Sequence, residues 1–307
     1  MIGHIPVLYN ECISALRPER GGIIVDGTLG GAGHSKGLLL GGNINLIGID
    51  KDQDAIDRCT DYLKEFGERV TFVKDDYKNI KNILENIGIN GIDGALLDLG
   101  VSSFQIDTKD RGFSYSEDAP LDMRMDRTSA VSAYEVINEY DKNELKRIIF
   151  EYGEEKFASA ITNAIIKSRP IKSTLQLAEI IKSAIPAAAR RTGGNPAKRT
   201  FQAIRIEVNA EIDGLENAIY DFIEVLNPGG RLAVISFHSL EDRAVKQAFK
   251  RAENPCTCPP DFPICVCGKK PLGKQLTRKP ILPNDIEMQD NKRAHSAKLR
   301  IFERVAD

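Results

Sequence analysis

Three aspartates each close a short apolar run: Asp26 ends GIIVD, Asp50 ends NLIGID and Asp98 ends GALLD. After the first of them the chain reads GTLGGAGHS, with Gly27, Gly30, Gly31 and Gly33 inside seven residues. Glycine lets the backbone turn sharply and lets a ligand approach it, and the start of the following helix offers N–H groups to that ligand. The same loop also serves as a tight strand-to-helix turn with no ligand. Asp50 stands 17 residues after Gly33, where a carboxylate can accept both ribose hydroxyls of a nucleoside. The dinucleotide fingerprint is incomplete, because Lys36 occupies the place of its third glycine. A nicotinamide-dependent oxidoreductase is therefore the weaker reading. An acid ahead of the glycines suits a ligand with an ammonium group and no pyrophosphate, such as S-adenosylmethionine. In VKDDY, Asp75 or Asp76 offers an acceptor to an adenine amino group, and Tyr77 offers a ring to cover the base.

Other residues could act on a substrate. Phe237-His238-Ser239 precedes Leu-Glu241-Asp242-Arg243. Ser239 with Asp242 three residues on reads as a helix N-cap and its acidic partner. His238, just ahead of that cap, is a candidate substrate contact or proton acceptor, with a merely hydrogen-bonded histidine as the alternative. Cys256, Cys258, Cys265 and Cys267 form C-x-C, six residues, C-x-C. Four thiolates could hold structural Zn²⁺, although C-x₂₋₄-C is the commoner spacing, and reduced or redox-active thiols are the other reading. Cys12 and Cys59 read as core residues, and no metal ligand is assigned to the acid-lined edge.

These residues need elements to position them. From residue 22, apolar runs alternate with helix-length segments: GIIVDG, NLIGID, VTFVKDD and GIDGALLDLG, with amphipathic stretches between them. That rhythm predicts βαβ units and a doubly wound parallel sheet whose strands carry polar residues at one edge, where ligands sit in open α/β sheets. Residues 101–130 are polar and too long for an ordinary strand-to-helix loop. After them only helical patterns occur until about residue 205, and one long helical stretch, TFQAIRIEVNAEIDGLENAIYDFIEVL, then leads to NPGG and the apolar RLAVISF. KPILP and AKLRIFERV read as closing strands of the first sheet. The expected organisation is a discontinuous sheet domain, 1–110 with 205–307, and an inserted helical domain, 111–204.

The 307 residues carry 42 Lys and Arg against 44 Asp and Glu, so the chain is no general polycation. Two segments differ from that average. Residues 187–206 hold Arg190, Arg191, Lys198, Arg199 and Arg205 with no acid, around Gly193-Gly194-Asn195-Pro196, and residues 268–304 hold ten Lys and Arg against four acids. Such patches grip phosphate. Six cysteines are too few for a disulfide scaffold, no apolar run reaches 18 residues, and no secretory signal is visible, so a cytoplasmic protein is expected.

VDGTLGGAGHS, DLGVSS, RGFSYSEDAPLDMRMD, NPAKRTFQAIRIEVN, NPGGRLAVISFHSLEDR and RAHSAKLRIFER, in this order from His4 to about Arg304, resemble the small-subunit ribosomal RNA methyltransferase H family. The resemblance implies a class I S-adenosylmethionine-dependent methyltransferase fold with an inserted helical domain, and methylation of N4 of one cytosine in 16S rRNA. It places S-adenosylmethionine against Gly31, Ala32, Gly33 and His34, with Asp50, Tyr77, Asp98 and Gln105 completing the site. Tyr77 stands where the family often has phenylalanine, which keeps the ring, and the cysteine-rich segment is the main departure. A non-catalytic RNA-binding or ribosome-assembly module built on the same fold is the alternative that the intact acids argue against.

For transfer to an amine, Asp98 is the candidate to orient cofactor or amine, with His238 as a second catalytic candidate. Asp98-Leu-Gly-Val-Ser-Ser103 contains no cysteine, whereas methylation at cytosine C5 needs a thiolate, so a nitrogen or oxygen acceptor is expected. In the long loop, Asp118, Asp122, Arg124, Asp126 and Arg127 could clamp a nucleotide or form ion pairs with one another. Asp122, Arg124, Lys198 and Arg199 are the candidate substrate-binding residues, and Phe104, Phe113 and Tyr115 are candidates to stack on an extruded base. The expected partner is 16S rRNA in the small ribosomal subunit, with no membrane. Nothing in the sequence selects between a monomer and a homodimer.

Overall fold

The computed structural model describes residues 6–191, 194–259, 264 and 266–305. His4, Gly193 and Cys265, each named above, lie outside the described residues. Contacts divide the chain into two units, residues 1–100 with 214–307 and residues 101–213.

The first unit is built on seven strands: β1 (Gly22–Asp26), β2 (Ile44–Asp50), β3 (Val70–Lys74), β4 (Ile92–Asp98), β5 (Leu226–Ser236), β6 (Gly273–Gln275) and β7 (Lys298–Arg304). Their order is β3-β2-β1-β4-β5-β7-β6, in which β1 to β5 are parallel and β7 is antiparallel to both of its neighbours. This is the sheet of the class I methyltransferase fold. The central strands are near-continuous apolar runs because helices cover both faces. On one face α1 (Tyr9–Leu16), α2 (Gly33–Gly41) and α3 (Gln53–Leu63) share a core with Ile24, Leu46, Leu96, Ile235 and Ile301. Elsewhere in this unit lies α4 (Ile80–Asn86).

The second unit is helical: α5 (Ser103–Asp107), α6 (Ala133–Asn138), α7 (Lys142–Glu151), α8 (Ala158–Ser168), α9 (Thr174–Ala184), α10 (Ala187–Arg190) and α11 (Lys198–Asn209). Its core includes Val136, Ile148, Ile161, Leu177, Phe201 and Ile204. The chain then returns to the sheet unit through α12 (Leu215–Val225), which packs on α4 and on α13 (Ser239–Glu253); α14 (Asp285–Asp290) follows later. Phe249 of α13 lies 5.2 Å, ring to ring, from Phe302 of β7.

Four expectations are corrected. The long helical stretch is two helices, broken where Ala210 and Gly214 take left-handed backbone, with φ of 48° and 70°. Because Phe201 and Ile204 are buried in the helical core, α11 falls with the helical unit, and the division lies at 213/214 rather than near 205. NPGG is a bulge within β5, since the register passes from Ile92 opposite Leu226 to Gly94 opposite Arg231. KPILP is not a ladder strand. Pro280 and Pro283 remove donors, and only Ile281 bridges to Leu299. Among the described residues no helix is long and apolar enough to cross a membrane.

One ion pair ties α13 to β7. Arg300, 6% exposed, donates from Nε and Nη2 to the two oxygens of Asp242 at 2.7 and 3.3 Å. Burial would raise the Asp242 carboxyl, but the Arg300 hydrogen bonds and charge and the Lys298 charge hold it below the usual carboxylate range. Its stabilisation is therefore complete above the unfolded value near 4 and is lost as the pH falls through the folded value. Removing one partner leaves a buried, uncompensated charge, so Asp242→Asn is expected to lower the unfolding free energy by about 3–5 kcal/mol at pH 7. Urea titrations should show that difference shrinking below about pH 4. A full-sized loss persisting at pH 2 would contradict the assignment.

Candidate active site

Strand order makes β2, β1 and β4 neighbours, so Asp50, Asp26 and Asp98 lie at adjacent strand ends. The environments of the three carboxyls differ. Asp26 is 2% exposed and is satisfied locally: its Oδ2 accepts from Ser35 Oγ at 2.6 Å and its Oδ1 from the Thr28 amide at 3.2 Å. Asp50 accepts from the Gly30 amide through Oδ2 and from the Asp52 amide through Oδ1, both at 2.9 Å. Asp98 Oδ1 is buried and has no hydrogen-bond partner, although the side chain as a whole is 29% exposed and can be reached.

Burial raises all three. It pushes Asp98 up to about 8, with the charges of Asp26 and Glu241 adding to the effect. It pushes Asp26 up to about 6 against the hydrogen bonds from Ser35 and Thr28, and raises Asp50 against those from the Asp52 and Gly30 amides. A cation brought to this edge would lower them again, whereas a pyrophosphate would meet like charge.

The glycine loop is fixed from three sides. The Gly27 amide donates to the Leu96 carbonyl at 2.9 Å and the Leu29 amide to the Ile49 carbonyl at 3.1 Å. The Asp98 amide donates to Thr28 Oγ1 at 2.6 Å. From α3, Arg58 Nη2 and Cys59 Sγ donate to the Gly30 carbonyl at 3.2 and 3.4 Å. Ala32 takes left-handed backbone, with φ 56°, at the cap of α2, and a Cβ on Gly33 would lie 2.4 Å from Pro6 Cγ. Gly31, Ala32, Gly33 and His34 thus enter α2 on a path held by its neighbours. Tyr77 stands beside the loop, its Cβ 3.2 Å from the position a Cβ on Gly27 would take, and its ring is 6.4 Å from that of Phe222. Asp75 and Asp76 are spent on the turn there, accepting from Asn79 Nδ2 at 2.7 Å and the Lys78 amide at 3.0 Å.

His34 is 6% exposed and stacks on Tyr9 with ring centres 6.2 Å apart. Its Nε2 lies 3.0 Å from the Val7 carbonyl, which assigns the proton to Nε2 and turns Nδ1 toward Asp98 Oδ2 at 3.9 Å. Cys12, buried in the same unit, lies within the influence of the Asp98 charge. Burial first, and Asp98 next, push its thiol well above the ordinary range. Burial thus holds this thiol protonated and unsuited to nucleophilic attack.

The cap of α13 is shifted by one residue from the expectation. His238, not Ser239, is the N-cap, and Glu241, not Asp242, completes the box. Glu241 Oε2 accepts from the amides of Phe237 and His238 at 2.7 and 3.3 Å, and Oε1 lies 3.1 Å from His238 Nε2. Sequence reasoning missed Glu241 because histidine is not among the usual capping residues. It also missed Thr28, Ser35 and Arg58, single polar residues that carry no pattern.

The other candidates belong to the helical unit. Gln105 forms a capping box with Ser102, its Oε1 accepting from the Ser102 amide at 3.0 Å. Asp122 and Arg124 make a two-pronged pair at 2.8 and 3.0 Å. Burial would raise the Asp122 carboxyl, but the hydrogen bonds and charge of Arg124 hold it low. Arg111, which the sequence did not single out, is 3% exposed and donates to the carbonyls of Arg124 and Met125, both at 2.9 Å. Asn209 takes the Met125 amide at 2.7 Å and the Met123 carbonyl at 2.8 Å. These buried groups order the long polar loop. Lys198 and Arg199 are exposed at the start of α11, and Arg199 also donates to the Glu154 carbonyl at 3.1 Å. Arg205 is spent on Glu211, with both contacts at 2.8 Å, and leaves the phosphate-binding set. Phe113 and Tyr115 pack on the helical core, Tyr115 edge-on to Phe201 at 5.8 Å.

A model of the MraW methylase family matches residues 1–305. A ribosomal RNA small subunit methyltransferase H from Lachnospira eligens is 55% identical, the alignment covering 98% of each chain. One of the same name from Brevibacillus brevis is 54% identical over 98% of each. Among solved structures, a putative methyltransferase from Streptococcus mutans in complex with SAH aligns at TM-score 0.44 and 12% identity, over 98% of this chain and 100% of that one.

Between about pH 4 and 8 the folded chain keeps an Asp98 proton that the unfolded chain releases, so stability falls as the pH rises through that window. Asp98→Asn should remove the Asp98 share of this slope, leaving that of Asp26, which ends near pH 6, and that of Asp50. By chemical denaturation at pH 8, the variant is expected to be more stable than the parent by more than the ~1.4 kcal/mol equivalent to one pH unit. Equal stabilities at pH 8 would mean that Asp98 is not held neutral.

Proposed function

The chain belongs to the MraW methylase family, and from that premise we propose that it transfers a methyl group from S-adenosylmethionine to the exocyclic N4 amine of one cytosine in 16S rRNA of the small ribosomal subunit. The observation that carries this reading is the reachable Asp98 carboxyl with its buried, unpartnered Oδ1, set beside two further acids in a cradle suited to a cationic nucleoside. When bound, S-adenosylmethionine supplies an electrophilic methyl on a sulfonium sulfur. Gly31, Ala32, Gly33 and His34 would hold it at the start of α2, Asp50 would take the ribose and Tyr77 would cover the adenine; Gln105, in the helical unit, is the further cofactor residue that the family resemblance implies. Positive charge at this edge brings the raised Asp98 carboxyl back toward its ionised form.

The cytosine N4 lone pair is delocalised into the ring and is a poor nucleophile. An Asp98 carboxylate accepting from N4–H draws density back onto the nitrogen. The chain's own residues would orient N4 toward the methyl that S-adenosylmethionine would supply, with sulfur keeping the electron pair of the bond given up, and would take the one proton that N4 loses. His238, with Glu241 beside its Nε2, is the second group proposed to handle that proton. Positioning of this kind can lower a barrier by about 7–11 kcal/mol. The loop from Asp98 to Ser103 carries no cysteine, which supports nitrogen over C5 as acceptor, because C5 chemistry needs a thiolate. The relatives' names support small-subunit rRNA as substrate, and with it action in the cytoplasm. Asp122 and Arg124 are proposed to shape the nucleotide-binding loop, and Lys198 and Arg199 to meet phosphate.

Mass spectrometry of 16S rRNA from cells lacking the protein should show the loss of a single N4-methylcytosine mark, restored by the parent chain and not by Asp98→Asn. An unaltered set of marks would overturn the reading. Lys198→Ala and Arg199→Ala should each weaken RNA binding and reduce the slope of log affinity against log salt by about one unit. Unchanged slopes in both variants would remove these residues from the phosphate contacts.

A further inference from the structure

The segment between α13 and β6 carries the cysteines that the function above does not use. Its two stems are clamped at the base. Leu272 donates its amide to the Ala252 carbonyl at 2.8 Å, and Gln275 binds Glu253 through its amide and Nε2 at 3.0 and 2.8 Å. Beyond that clamp Ile264 and Val266 are more than 70% exposed. Yet Cys256 and Cys258 on the outgoing stem and Cys267 on the returning stem converge, their Sγ atoms all within 4.8 Å of one another.

We propose that Cys256, Cys258 and Cys267 form a zinc-binding centre that closes this segment. The Cys256 and Cys267 sulfurs are 3.9 Å apart, too long for a disulfide and close to the spacing of about 3.8 Å that tetrahedral Zn–S bonds of 2.3 Å require. The Val266 amide donates to Cys258 Sγ at 3.3 Å, the kind of N–H contact that orients and stabilises a ligating thiolate. Gly268 takes φ 66° directly after Cys267, which lets the chain turn away from the cluster. A redox pair would need two thiols, whereas three converge here. On binding, each ligating thiol gives its proton to solvent, and three thiolates with Zn²⁺ leave a net charge of −1. Lys269 and Lys270 follow immediately in the chain to offset it. Cys265 lies outside the described residues and is not part of the proposed set.

The test uses the full chain, purified reduced and without chelators. Elemental analysis should find about one zinc per chain. Replacing it with Co²⁺ should give the tetrahedral d–d bands together with sulfur-to-cobalt charge transfer of at least three thiolates. The double variant Cys256→Ser/Cys267→Ser should lose both the zinc and these bands while keeping the parent's secondary structure. A zinc-free parent whose cobalt spectrum is that of the aqueous ion, or a double variant that retains full zinc, overturns the proposal. Because metal content and spectrum are the readouts, the outcome is independent of the rRNA methylation result.

Discussion

The constraint on which the rest of the sheet unit depends is the desolvation of three carboxyls at adjacent strand ends, Asp26 fully buried and Asp50 and Asp98 partly so. Desolvation penalises each charge, and the three penalise one another. The fold answers this unequally. Asp26 receives a hydroxyl and an amide, Asp50 receives two amides, and Asp98 Oδ1 receives nothing from the protein. Satisfaction thus falls from the strands that build the loop to the strand proposed to face the reacting group. A fully satisfied Asp98 would be a better structural residue and a poorer site, because an unpaired buried acceptor gains most from a ligand that pairs it.

The satisfied acids also shape the cradle. Asp50 holds the Gly30 amide while Arg58 and Cys59 hold the Gly30 carbonyl, so β2 and α3 grip both sides of the same peptide region. Thr28 accepts from the Asp98 amide and couples the loop after β1 to the end of β4. The glycine loop is thereby preorganised, and its shape is set by polar contacts at its two sides rather than by glycine content alone.

Much of this was legible in the sequence for a physical reason. Parallel strands covered on both faces must be continuous apolar runs, so GIIVD, NLIGID and GALLD announced themselves and placed their terminal acids on one edge. Legibility ended where structure depends on single contacts. Nothing in a pattern marks Thr28, Arg111 or Asn209, each a lone polar residue satisfied across the fold. The break at Ala210 was hidden because both flanking stretches are amphipathic helices, and the cap at His238 because histidine rarely takes that role. Cys12 was correctly read as core.

Charge shows the same limit. The segment 268–304 has a surplus of six basic residues by count, yet Arg300 and Lys298 serve Asp242, Lys274 serves Glu303, and Arg304 donates to the Ile223 carbonyl. In 187–206, Arg205 is bound to Glu211. A cation already paired inside the protein gains little from a phosphate, because it must first lose its carboxylate. What a basic segment can offer RNA is therefore set by its exposed members, such as Lys198, Arg278 and Lys279, and not by its total. The same chain can thus be acid-lined at one edge, near neutral in sum and locally able to hold an RNA backbone.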